Sequence, residues 1–539
     1  MTTEETRAFL RTKTTTAPLT TLSAGELAGL IARGEVSAVE AVEAHIERIE
    51  QMNPALNAVV VKRYETAHAE ARQADERRAA GEALGPLHGV PITIKECLDL
   101  EGTPSTFGLP SRTKLLATED DVYVARMREA GAIILGKTNV AQLLFYYESD
   151  NPLYGRTKNP WNLDRTPGGS SGGQAAIIAA GGSPLGLGTD IGGSLRVPAT
   201  FCGIASMKPT AGRFPDAGRY SVPIGQRAIV SQVGVLARQV SDVALGLEVI
   251  NGGRNPVTEP PMPLGNPATV DVSRLRVACY TDDGTFQVAP AVRRAVQEAA
   301  ELLRTAGAQV TAWTPPDVRQ AAALWLGIMA ADGARGFKQM LGRDKRDPRV
   351  APFLLFAGRS RPFLALLGGP LRSMGQRGLA ETLHAFGHTN THHYWGLVEA
   401  QMEYQAQFLR ALDHDAGGPF DVILCPANAL PPYTHGSFYD LLTAGAYATL
   451  YNVLGYPAGV VPVTRVRPGE DVGRAASRDR MQKAARNVEL GSVGLPVGVQ
   501  VVARPWREHV ALAVMGAIEQ AAAPCPDYPG LLALAKKAT

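Results

Sequence analysis

Apolar and polar positions along this chain repeat at two periods, and the places where one gives way to the other outline the elements. Ser23-Ala-Gly-Glu26 and Ser37-Ala-Val-Glu40 are capping boxes, each opening a stretch with apolar residues at helical spacing. A third helical stretch, rich in Ala and Arg, covers roughly 62–80. Gly89-Val-Pro-Ile-Thr-Ile-Lys95 reads as a short buried strand that ends, unusually, in a charge. From 121 onward the pattern predicts helix 121–130, strand 132–135, helix 173–181, strand 184–187, strand 275–280 and helix 290–306. The rhythm returns with strand 420–425, helix 442–454, strand 458–463, strand 495–503 and helix 508–523. Strands alternating with helices mean an α/β fold, and the late strands are expected to join the same sheet as the early ones.

With 539 residues, 45% of them hydrophobic and 19% charged, the chain can bury a substantial core. A formal net charge of +3 is small for this length, and no basic block is interleaved with aromatics, which argues against a nucleic-acid partner. Five widely spaced cysteines (Cys97, Cys202, Cys279, Cys425 and Cys525) contain no CxxC pair and read as free thiols of a reducing compartment. The Thr-rich residues 1–17 read as a mobile tail, and no run of eighteen apolar residues occurs; the expectation is a cytoplasmic protein without a transmembrane helix. The charged stretch 466–489 reads as a solvated excursion.

The densest chemical signal is a pair of Gly-rich turns carrying serines, Pro167-Gly-Gly-Ser-Ser-Gly-Gly173 and Gly188-Thr-Asp-Ile-Gly-Gly-Ser194. Apolar elements bracket both turns, which is unlike a free linker. The first lacks the Gly-Lys-Ser/Thr ending of a phosphate-binding loop and the second is not GxGxxG. Ser194 after Ile-Gly-Gly suits a nucleophile whose neighbouring backbone N–H groups, from Ile191, Gly192, Gly193 and Ser194, converge on a developing oxyanion. That points to acyl transfer. No histidine occupies a comparable strand-end or Gly-rich setting, so the candidate base is Lys95: desolvation at the end of an apolar strand would lower its pKa from about 10.4 towards roughly 7–8. The competing reading is a lysine that snorkels to the surface.

Gly89-Val-Pro-Ile-Thr-Ile-Lys95, Pro167-Gly-Gly-Ser-Ser-Gly-Gly173 and Gly188-Thr-Asp-Ile-Gly-Gly-Ser194-Leu-Arg196, in that order, resemble the amidase signature family, and the resemblance extends from about residue 20 to about 520. It implies one large α/β domain, here 18–530, with a mixed central sheet sandwiched by helices. It further implies a catalytic chain of lysine, a serine after a cis peptide bond, and the nucleophilic serine, which fall on Lys95, Ser170 and Ser194, with Ser171, Thr189, Asp190 and Arg196 in support. Thr138-Asn-Val-Ala-Gln, Asn151-Pro-Leu-Tyr-Gly, Met207-Lys-Pro-Thr210 and Ser492-Val-Gly-Leu-Pro-Val-Gly-Val-Gln500 are most similar to the fatty acid amide hydrolase branch. That likeness implies a small-molecule amide substrate with a lipid-like acyl chain, an acyl pocket walled by Leu144 and Phe145, and no cofactor or metal. A broad small-amide or aryl-amide amidase and the amidase subunit of a tRNA-dependent amidotransferase are the alternatives, beside a catalytically silent binding protein on the same fold.

Two further features are expected to be structural or peripheral. His384, His388 and His392 stand at i, i+4 and i+8 and would share one helix face, but no acidic ligand pairs with them and they read as a surface stripe with no metal. The apolar stretch within 350–378, punctuated by Arg359, Arg361 and Arg372, reads either as a pair of core helices or as a hydrophobic cap in peripheral contact with a membrane. Homodimer formation is left open by the sequence.

Overall fold

In the computed structural model, which describes residues 17–214, 225–252 and 262–530, helices and strands alternate much as the pattern predicts. The predicted tail at 1–17 lies outside the described residues except for Ala17. The strands are β1 Val59–Lys62, β2 Pro91–Lys95, β3 Ile133–Thr138, β4 Asp150–Asn151, β5 Gly155–Arg156, β6 Leu185–Asp190, β7 Ala205–Lys208, β8 Gln232–Ala237, β9 Arg276–Cys279, β10 Gln309–Ala312, β11 Val422–Pro426, β12 Ala458–Arg465 and β13 Pro496–Ala503. Apart from the ribbon β4–β5, they form one 11-stranded sheet in the order β1-β3-β2-β6-β8-β7-β12-β13-β11-β9-β10. The late strands do join the early ones, through the antiparallel pairing of β12 with β7.

The sheet is mixed. β2 runs parallel to β3 and β6, and β9 runs parallel to β10 and β11, while the centre from β6 to β11 is antiparallel. Every residue of β2, β3, β6, β8, β11 and β13 is buried, so these strands are made mainly of apolar and small residues and need cover on both faces. Helices Arg196–Cys202, Pro290–Thr305 and Glu508–Ala522 pack against β12 and β13. Helix Gly172–Ala179 packs against β2, β6 and β8. It comes so close that a Cβ on Gly186 would sit 2.1 Å from the Gln174 amide nitrogen and 2.2 Å from the Thr93 carbonyl oxygen, which is why β6 carries glycine there.

The parallel pairing sets up the site. Thr93 lies opposite Gly186 and Ile94 opposite Leu187, so Lys95 and the Thr189-Asp190 end of β6 leave the sheet at the same carboxyl edge, the edge at which open α/β sheets place their ligands.

Three expectations are corrected. The stretch 466–489 is not simply a solvated excursion: Asp479 caps a helix, Arg480–Glu489, whose Met481, Ala485 and Val488 are buried. Those three positions have helical spacing, but the surrounding Arg and Lys residues mask it in composition. His384, His388 and His392 do not share a helix, because the helix Arg377–Ala385 stops at Phe386 and the next starts at Thr391, capped by Asn390. Gly387, at φ +120°, makes the break. The stretch 350–378 holds two helices, Ala351–Ala357 and Arg361–Ser373, that are only half interior: Phe353, Leu354 and Leu364 are buried, while Leu355, Phe363 and Leu366 are exposed.

Candidate active site

Lys95, the last residue of β2, is fully buried, so it does not snorkel. Its Nζ donates to Ser170 Oγ at 2.7 Å and to Thr189 Oγ1 at 2.7 Å, with the Thr189 carbonyl oxygen at 3.4 Å. Burial lowers its pKa from 10.5 to about 8, against the opposing pull of Cys97, Asp190 and Glu96. A neutral amine is therefore within reach near physiological pH, and Ser170 is the hydroxyl aligned with it.

Ser170 follows a cis Gly169–Ser170 peptide bond. The loop that carries it is held from below by Ser149, whose hydroxyl donates to the Gly168 carbonyl at 3.2 Å and accepts from the Gly172 N–H at 2.8 Å. Gly169 is pressed against the chain at 146–148, where a Cβ would lie 2.4 Å from the Tyr146 carbonyl oxygen. Ser171 bridges the two Gly-rich turns: its N–H donates to the Ser194 carbonyl at 3.3 Å and its hydroxyl to the Thr189 carbonyl at 3.3 Å.

The second turn is organised by Asp190. One carboxylate oxygen accepts from the Gly193 N–H at 2.8 Å, and the other from the Leu195 N–H at 3.1 Å. Arg196 closes a buried ion pair with Asp190 at 3.0 Å and donates onward to Gln500 Oε1 at 2.7 Å, the Ala448 carbonyl at 2.8 Å and Asn452 Oδ1 at 2.7 Å. This arrangement alters one expectation. The Gly193 N–H is taken by Asp190, so of the four amides expected to face an oxyanion, it is the amides of Ile191, Gly192 and Ser194 that remain candidates.

Ser170 and Ser194 line one pocket, together with Leu144, Phe145, Thr189, Ile191 and Gly192. Ser194 is 6% exposed, against 1% for Ser170 and 0% for Lys95, so exposure falls stepwise from pocket to lysine. The hydrogen bonds run from Lys95 to Ser170 and stop there: among the described residues none joins the Ser170 and Ser194 hydroxyls. The remaining wall is mostly apolar, with Ser231, Thr443 and Thr449 among it, and comes from distant segments, notably Trp325, Leu326, Met329 and Phe438. Phe145 stacks into an aromatic cluster with Phe337 and Phe353 at centroid distances of 5.5 and 4.0 Å. Phe353, within the apolar stretch 350–378, faces inward and is 4% exposed.

Sequence reasoning brought together Lys95, Ser170, Ser194, Leu144 and Phe145, and passed over Ser149, Trp325, Asn452 and Gln500 as functional residues. Gln500 stood inside a quoted motif, where an amide amid apolar neighbours was the available signal. Nothing local marks Trp325, whose helix Val318–Ala330 reaches the pocket only through tertiary packing.

Comparison with known proteins bears on this geometry. Residues 40–512 match the family described as Amidase. The chain is 34% identical over 510 residues to "Fatty-acid amide hydrolase 1" of Sus scrofa, covering 93% of this chain and 85% of that protein. It is 34% identical over 521 residues to "Indoleacetamide hydrolase" of Bradyrhizobium diazoefficiens, covering 94% and 87%. Its fold superposes on a solved structure of "Fatty acid amide hydrolase" with a TM-score of 0.80, at 25% identity over 95% of this chain and 88% of the other.

The lysine's burial predicts a stability signature. Its folded pKa of about 8 lies below the unfolded value of 10.5, so the unfolded state holds more protons in between and stability should rise with pH across that window. Below about 8 the folded state carries the full penalty of a desolvated ammonium. Lys95→Met should therefore raise the thermal midpoint at pH 7, with the advantage shrinking towards pH 10. A midpoint difference that does not change with pH would contradict this account of the lysine.

Proposed function

The chain belongs to the amidase signature family and is an amide-hydrolysing enzyme, and from that premise we propose that it cleaves lipid-like N-acyl amides through an acyl-enzyme on Ser194, using Ser170 and Lys95 as its proton path. The observation that carries the reading is the 2.7 Å hydrogen bond from a buried, pKa-lowered lysine to the Ser170 hydroxyl, beside a glycine turn that presents Ser194. Neutral Lys95 takes the Ser170 proton as Ser170 takes that of Ser194, and Ser194 Oγ attacks the amide carbon. The carbonyl oxygen gains the negative charge and meets the amides of Ile191, Gly192 and Ser194. Amide nitrogen leaves poorly until protonated, so the proton on Lys95 returns through Ser170 to the departing amine as the C–N bond breaks. Water then attacks the acyl carbon and gives its proton to the same path, and that proton returns to Ser194 Oγ as the ester bond breaks and the carboxylic acid leaves. The link between the two hydroxyls is not made in this structure; catalytic hydrogen bonds of this kind tighten when substrate is bound.

The lipid-like acyl assignment is supported by the apolar, aromatic wall around Leu144 and Phe145, and by the relatives named fatty acid amide hydrolases. A small or aryl amide is the second reading, favoured by the relative named indoleacetamide hydrolase. Peripheral membrane contact belongs to the same proposal. Among the described residues no helix is long and apolar enough to cross a membrane. Leu355, Phe363 and Leu366 nevertheless stand 52%, 48% and 75% exposed beside Arg359 and Arg361, a composition suited to the interface of an anionic bilayer.

Four measurements test the proposal. A fluorophosphonate should label wild-type Ser194 and fail on Ser194→Ala. In the same series kcat/KM should rise with pH up to about 8, where Lys95 becomes neutral, and then level off; Lys95→Ala should be slow and lack that inflection, and an unchanged rate and profile in Lys95→Ala would refute the proton path. Leu144→Trp should reduce turnover of a dodecanoyl amide at least tenfold more than that of an acetyl amide; equal losses would remove Leu144 from the acyl wall. Vesicles containing phosphatidylserine should float the wild type but not a Leu355→Ser, Phe363→Ser, Leu366→Ser variant, and equal flotation of both would dismiss membrane contact.

A further inference from the structure

Backbone N–H groups of a glycine-rich turn can stabilise an oxyanion only if their peptide planes are fixed, and a trans peptide sets its C=O and N–H on opposite sides. Whatever grips a carbonyl in this turn therefore aims the next N–H. In the turn 191–194 each carbonyl is gripped from a different direction. The Ile191 carbonyl accepts the indole N–H of Trp325 at 3.0 Å, and the Gly192 carbonyl accepts the Tyr147 hydroxyl. The Gly193 carbonyl accepts the Val197 N–H at 2.8 Å, the ordinary first bond of the following helix. Two of these holds are thus made by side chains, both of which line the pocket.

The contacts are close enough to dictate the turn's composition. A Cβ on Gly192 would lie 2.8 Å from the Trp325 ring, and one on Gly193 would lie 3.0 Å from the Tyr147 hydroxyl. The two rings stand where side chains of the turn would otherwise be, so the glycines and the two aromatic donors form one fitted unit. Trp325 and Tyr147 are each 6% exposed. Burial raises the Tyr147 phenol above its ordinary pKa, with Asp190 adding to the rise, so it keeps the proton it donates.

Building on the proposed acyl-enzyme reading, we infer that Trp325 and Tyr147 are positioning residues that aim the amides of the Ser194 turn at the oxyanion by clamping the carbonyls of Ile191 and Gly192. The Trp325 clamp fixes the Gly192 N–H, one of the free candidate amides. The Tyr147 clamp fixes the Gly193 N–H on Asp190, which anchors the turn at its midpoint. Trp325 lies on the helix Val318–Ala330, whose Ala322, Leu326 and Met329 also face the pocket. An acyl chain packed against that helix therefore presses on the element that holds the oxyanion turn, and substrate length and catalytic geometry share one support.

The experiment uses Trp325→Phe and Tyr147→Phe, which keep the rings and delete only the donors. Wild-type labelling by a fluorophosphonate, and hydrolysis of decanoyl p-nitroanilide, first establish the acyl-enzyme; failure at this stage is failure of the underlying reading. Given that activity, each variant should lose roughly tenfold or more in kcat with KM within twofold. Affinity for decylboronic acid, which forms a tetrahedral adduct on serine, should weaken in the same proportion, while inhibition by decanoic acid should stay unchanged. A purely structural role would move the thermal midpoint, KM and decanoate inhibition together. The inference is overturned if kcat and boronate affinity stay within threefold of wild type, or if they fall only alongside KM and decanoate binding. Should either variant fail to fold, the same readouts on the other decide the matter.

Discussion

A carboxylate and a guanidinium, both fully buried, hold the turn on which the site depends. Burial by itself would raise the Asp190 pKa, but the charge and hydrogen bonds of Arg196, helped by Asn452, outweigh it and keep the carboxylate ionised. An ion pair stripped of water is weak as a source of stability, because desolvation cancels most of the Coulomb attraction. Its value here is directional. Asp190 has two oxygens and accepts from the Gly193 and Leu195 N–H groups, the Asn452 amide and Arg196, so almost every lone pair is spoken for. The backbone on both sides of Ser194 is thereby tied to a point that cannot rotate. Arg196 then carries the constraint outward to Gln500 on β13 and to the Ala448 carbonyl in the helix Ala446–Val453, joining the turn to elements encoded 252 and 304 residues later.

The same water-free interior tunes Lys95. A lysine paired with a carboxylate would hold its proton more tightly, but Nζ meets two neutral hydroxyls, those of Ser170 and Thr189. Asp190, spent on Arg196, contributes only at a distance, and desolvation wins. One end of the site is thus a fully compensated charge and the other an uncompensated one, separated by the length of β6's last two residues. Environment, and not residue type, divides the two roles.

The sequence made some of this plain and hid the rest for identifiable reasons. Both capping boxes form as read, with Ser23 and Ser37 accepting from the backbone of Glu26 and Glu40. Short apolar runs were enough for most of the buried strands, because strands covered on both faces are largely apolar. β1, β7, β8 and β10, four to six residues long, escaped. The helix Arg480–Glu489 escaped for the opposite reason, its apolar stripe being outnumbered by charge. At the site, the residues on the two glycine turns and at the end of β2 could be located because glycine and an interior lysine are conspicuous. Ser149 and Trp325 could not, since a serine in a loop and a tryptophan in an apolar helix are ordinary until the fold brings them against a particular carbonyl.

The stepwise fall in exposure from Ser194 through Ser170 to Lys95 explains why the proposed path needs a middle member. A lysine that touched the pocket directly would meet water whenever substrate left, and hydration would restore its ordinary pKa and its charge. A lysine withdrawn behind the sheet edge keeps the lowered value but can no longer reach a substrate. A hydroxyl reconciles the two demands: it is small enough to fit between them, it can donate to neutral Nζ while accepting from Ser194 and reverse both for the proton's return, and it bears no charge of its own that burial would penalise. The Gly-rich loop at 168–173 follows from that requirement, since only a chain without side chains can press Ser170 into the gap between β2, β6 and the chain at 146–149. The pocket wall can then stay mostly apolar, because the group that must be desolvated lies outside it.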